Sequence, residues 1–106
     1  MDPSARNTNG GPLRRKVTLT NANGFHLRPM QAFVELASRF QSSVRLQNDD
    51  REPVDGKSMF SLMLLAAEKG HELTVEVDGP DAPAALEELV DLLANLETRV
   101  PVDEPE

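Results

Sequence analysis

The sequence predicts an α/β (α+β) fold, an open-faced β-sandwich whose four-stranded antiparallel sheet carries three helices on one face. Three observations predict it. Short segments of apolar–polar alternation mark half-buried strands. Between them lie segments whose apolar residues recur at helical spacing, so each helix has one face to bury. The order β-α-β-β-α-β-α, with polar residues at alternate strand positions, leaves the other sheet face wet.

Residues 1–13 mix Asn, Ser, Gly and Pro without periodicity and read as a disordered lead. The ordered domain is expected over 14–98. From Lys16, Val17 and Leu19 alternate with Thr18 and Thr20, a strand that Asn21–Gly24 breaks. Met30, Phe33, Val34 and Ala37 then fall at i, i+3, i+4 and i+7, an amphipathic helix ending near Phe40. Val44 and Leu46 mark a second strand and Asn48-Asp49-Asp50 a turn. A short strand follows around Val54, at the sheet edge because Pro53 has no N–H for a ladder. A short apolar helix is expected from Ser58 to Ala67, stopped by Gly70. Leu73, Val75 and Val77 form the clearest strand, and Asp81 is placed as N-cap of the last helix. That helix buries Ala85, Leu86, Leu89, Val90 and Leu93 and keeps Glu87, Glu88 and Asp91 in water. Residues 99–106 read as a flexible acidic tail.

Composition narrows the function. The 106 residues include no cysteine, which excludes disulfides and thiolate metal sites and leaves a cytoplasmic protein as the expectation. No apolar run is long enough to span a bilayer, and the amino terminus lacks a signal-peptide core. The net charge of −7 resides in the body, because three Arg and one Asp in 1–15 balance one Arg and three acids in 99–106. Such acidity argues against nucleic acid as a partner and for other proteins.

Chemistry concentrates in Asn23-Gly24-Phe25-His26-Leu27-Arg28-Pro29. His26 stands at the mouth of a predicted helix, where unused N–H groups and the positive dipole end favour an anion. Pro29 is tolerated in a first turn because the N–H it lacks has no helical partner there. Gly24 permits a sharp turn and close backbone approach, and Arg28 offers a guanidinium suited to phosphate. On the residues alone, His26 is either a turn or capping histidine or the carrier of an anion. His71, with no paired ligand nearby, reads as a surface residue.

The run Gly24-Phe25-His26-Leu27-Arg28-Pro29-Met30 resembles the active-site signature of the HPr phosphocarrier proteins of the phosphoenolpyruvate-dependent phosphotransferase system. The resemblance covers roughly residues 15–96, and Lys57-Ser58-Met59-Phe60 followed by Gly70 is similar to a second landmark of that family. It implies that His26 accepts a phosphoryl group on Nδ1 from phosphorylated enzyme I and passes it to a IIA-type domain. Arg28 would stabilise the phosphate, with Asn23, Gly24 and Pro29 in support. The protein would then be a carrier rather than an enzyme, needing no cofactor or metal, and is expected to act as a monomer in sugar uptake or its regulation.

Ser58 is an N-cap by residue type. The resemblance adds a second role, as the site of a regulatory phosphate placed by an HPr kinase/phosphorylase. Met59, Phe60 and Met63 lie in a helix apolar nearly all round, so some belong to the core and some to the surface. The resemblance makes these three, with Leu27 and Met30, a partner-docking patch rimmed by Gln31 and Arg28. Leu27, Met30, Phe60 and Ser61 depart from the residues usual in the family, which bears on partner choice. The rival reading is a non-carrier docking module of the same fold, switched by phosphorylation of Ser58.

Overall fold

A computed structural model describes residues 11–100. The elements are β1 (Leu13–Thr18), α1 (Leu27–Ala37), β2 (Ser43–Asn48), β3 (Val54–Asp55), α2 (Met59–Met63), β4 (Glu72–Asp78), α3 (Ala82–Ala94) and α4 (Leu96–Arg99). The sheet has the order β1-β4-β2-β3, and every neighbouring pair is antiparallel. The two-residue β3 lies at an edge, as Pro53 requires.

Alternation along the strands divides the sheet into two faces. Val44 and Leu46 of β2 and Leu73, Val75 and Val77 of β4 are fully or almost fully buried. They meet Met30, Phe33 and Ala37 of α1 and Ala85, Leu89 and Leu93 of α3 in one core. Each such large side chain contributes about 1.5–3 kcal/mol by leaving water. The opposite face carries Arg14, Lys16, Arg45, Thr74 and Glu76, with Arg14 bonded to Glu76 at 3.2 Å across the strands. Among the described residues, no helix is long and apolar enough to cross a membrane.

The structure departs from the expected boundaries in four places. Strand β1 opens at Leu13 rather than Lys16, inside the segment assigned to the lead. Leu13-Arg14-Arg15 shows no alternation of its own; pairing of Leu13 with Val77 and Arg14 with Glu76 draws it into the sheet. Helix α2 stops at Met63 instead of reaching Ala67. The Leu64 and Leu65 N–H groups bond three residues back, and Ala66 takes a positive φ of 50°, so the chain unwinds before Ala67.

The last helix breaks at Asn95, whose amide donates to the Asp91 carbonyl and carboxylate, and a fourth short helix, α4, follows. Arg99, assigned to the tail, closes α4, and Val100 packs against the core. The rest of the lead (1–10) and tail (101–106) lies outside the described residues. Finally, Asp81 occupies the N-cap position of α3 without capping it. Its carboxylate accepts from the Ser42 hydroxyl and from the Gln41 and Ser42 N–H groups. The Ser42 hydroxyl bond first, then the Gln41 N–H, holds this carboxyl below the ordinary Asp value.

Candidate functional site

The loop from Asn21 to His26 is fastened to itself and to the rest of the domain before it reaches α1. The buried Asn21 side chain donates to the Gly24 carbonyl at 2.7 Å, and the Gly24 N–H returns to the Asn21 carbonyl at 3.1 Å. Phe25 N–H bonds the Ala67 carbonyl at 3.1 Å, which the unwinding after Met63 delivers. The Phe25 ring is buried edge-on to Phe33, with centroids 6.0 Å apart. Gly24 has φ +66°, and a Cβ there would stand 2.8 Å from the Glu68 Cα. Only glycine suits that backbone and that clearance.

His26 is the N-cap residue of α1, in an extended conformation and half-buried. Its carbonyl accepts the first helical bond, from Met30 N–H at 2.9 Å. Its imidazole makes no capping bond. Pro29 sits in the first turn with its ring buried, and no acidic residue lies in that turn. The helix start therefore combines N–H groups without helical partners with a positive dipole end beside the ring. A recess of about 50 Å³ lies against His26, lined also by Asn23, Pro29 and Glu97. Arg28, in the first turn, and Gln31, about one turn further on, are exposed and line a neighbouring groove with Glu35 and Arg99.

Ser58 is the N-cap of α2, and its hydroxyl accepts from Ser61 N–H at 3.1 Å. Lys57 reaches back to the Phe40 carbonyl at 2.8 Å, tying this helix head to the turn that follows α1. Phe60 is 75% exposed and Met63 54%, while Met59 is half-buried against the core. Leu27, at the head of α1, is likewise exposed, and α1 and α2 are in contact.

Two expected placements are corrected. Met30 is buried, not part of a surface patch, because it shares the α1 stripe that covers the sheet with Phe33 and Ala37. Asn23 is exposed beside the recess, and the asparagine that holds the turn is Asn21. His71 is more than a surface residue: its Nδ1 receives the Glu68 N–H at 3.1 Å and lies 3.2 Å from the buried Asn48 amide. Sequence reasoning also missed Leu64, exposed next to Met63, and Glu97, which accepts the Ala22 N–H at 3.3 Å. Leu64 continues the apolar run after Met63, a signal that was readable. Glu97 had none, since it meets Ala22 from 75 residues away.

An open-faced sandwich whose first helix is headed by a half-buried histidine that makes no capping bond defines the class of small domain. Residues 13–95 match the PTS-HPr family, described as "PTS HPr component phosphorylation site". The chain belongs to this family, whose members are phosphocarrier proteins of the phosphotransferase system, carriers rather than enzymes. It is 40% identical over 83 residues to phosphocarrier protein HPr of Cupriavidus necator, spanning 78% of this chain and 92% of the relative. It is 32% identical over 80 residues to phosphocarrier protein NPr of Escherichia coli, spanning 76% and 89%. The crystal structure of HPr from Bacillus anthracis superposes with a TM-score of 0.72 at 32% identity, covering 77% of this chain and 96% of that one.

Proposed function

We propose that this chain takes a phosphoryl group on Nδ1 of His26 from phosphorylated enzyme I and hands it to a IIA-type domain. The observation that carries the reading is the imidazole at the head of α1, which occupies a capping position and does no capping. In the transfer, the Nδ1 lone pair attacks phosphorus, the donor's bond to phosphorus breaks, and that electron pair stays with the donor. The helix start and Arg28 offset the arriving charge, but only in part, since a phosphate held too tightly would not move on. The exposed Leu27, Phe60, Met63 and Leu64 form an apolar docking surface with Arg28 and Gln31 at its rim. Methionine and the flat phenylalanine suit a surface that must fit more than one partner in turn. Ser58, heading α2 beside Phe60, is the regulatory site of the same reading, and a phosphate there would bring negative charge to the docking surface.

The test is incubation with phosphoenolpyruvate and the cognate enzyme I, followed by measurement of acid-labile phosphate. One phosphoryl group per chain is expected, absent in His26→Ala. Label that persists in the alanine variant overturns the site, and a wild-type chain that takes no label favours the docking module switched at Ser58.

A further inference from the structure

Residues 64–71, between α2 and β4, belong to no helix or strand, yet the loop that carries His26 is seated on them. The Ala67 carbonyl accepts the Phe25 N–H at 3.1 Å. Gly24 lies so close that a Cβ there would stand 2.8 Å from the Glu68 Cα and 3.1 Å from the Lys69 nitrogen. Whatever fixes the backbone of 67–69 therefore fixes the two residues before the histidine. That backbone is not at rest by itself, for Ala66 has a φ of 50°, which an alanine keeps only when its surroundings enforce it.

Three side chains do so. Before Ala66, the buried Asn48 amide donates to the Leu65 carbonyl at 3.0 Å, and the Arg51 guanidinium reaches the same oxygen at 3.4 Å. After Ala66, His71 holds Glu68 by both its polar groups. His71 Nδ1 accepts the Glu68 N–H at 3.1 Å, and the His71 N–H donates to the Glu68 carbonyl at 2.9 Å. The Asn48 amide lies 3.2 Å from the same Nδ1 and joins the two holds. A backbone donor at Nδ1 makes that nitrogen the acceptor and leaves the ring proton on Nε2.

From this chain of bonds we infer that His71 is a positioning residue for phosphoryl transfer. Through the Glu68 N–H it seats 67–69 under Gly24 and Phe25, and so fixes where the His26 ring meets phosphorus. The inference rests on His26 as the acceptor. Attack on phosphorus tolerates little displacement, so a loosened seat costs rate, while the exposed docking side chains keep their hold on the donor.

The experiment compares wild type, His71→Phe and His71→Asn as full chains. It measures kcat and KM for transfer from phosphorylated enzyme I, and amide hydrogen exchange at Phe25 and at Val75 in the central strand. Phenylalanine keeps a ring without an acceptor, whereas asparagine restores an acceptor oxygen at the δ position. His71→Phe is expected to lower kcat about tenfold with KM within about twofold of wild type. Phe25 exchange should quicken about tenfold with Val75 unchanged, and His71→Asn should recover most of both losses. An unchanged kcat in His71→Phe overturns the inference, as does a loss that His71→Asn fails to recover. Equal acceleration at Val75 also overturns it, since His71 would then serve overall stability. A wild-type chain that takes no label overturns the acceptor reading and the role in transfer with it, a result distinguishable from label that ignores position 71.

Discussion

The heads of α1 and α2 carry the same backbone device and use it oppositely. Both N-cap residues, His26 and Ser58, are extended, and both carbonyls accept a bond four residues on. Ser58 spends its side chain on the cap, accepting from Ser61 N–H, whereas the His26 ring makes no such bond. A side chain that caps is bound into stability; one that occupies the position and leaves the helix end unserved is available to a ligand. Helix α1 can forgo its cap because Pro29 removes one needy N–H and Phe25 and Met30 anchor the start in the core.

The largest expected effect breaks the comparison at His26. His26→Ala removes phosphoryl transfer entirely yet shifts unfolding in denaturant by less than about 0.5 kcal/mol, since no capping bond is lost. A loss of stability above that would show that the ring does structural service after all. Next, Gly24→Ala forces a Cβ against Glu68 at a positive φ and should destabilise by about 2 kcal/mol, while slowing phosphorylation by displacing His26. Equilibrium unfolding and the initial rate of labelling check the two parts.

Phe60→Ala tests the surface beside the serine. It should raise the KM for transfer from enzyme I about tenfold, with stability changed by less than about 0.5 kcal/mol. Ser58→Ala should show the converse pattern, losing about 1 kcal/mol of stability while His26 remains phosphorylatable. The smallest effect extends the comparison to the third helix head. The Asp81 carboxyl is held below its ordinary value, so its contribution is whole above that value and fades as pH falls toward the lowered one. Asp81→Asn should therefore unfold more easily at neutral pH and approach wild type in acid, as thermal melts from pH 7 to 3 would reveal.

The alternation of β2 and β4, the helical stripes of α1 and α3, the edge placement of β3 and the cap at Ser58 were legible along the chain. So was the clustering of Gly24, His26, Arg28 and Pro29, because turns, caps and periodicity are set by neighbours within a few residues. The sequence by itself determined the sandwich and the histidine at its helix head. Tertiary structure alone decided that Leu13 joins β1 through Val77, and that the chain unwinds after Met63 to bring the Ala67 carbonyl to Phe25. It also set Glu97 beside His26. Most of these outcomes depend on groups some 40 to 75 residues apart in the chain, and no local pattern records which of them packing will bring together.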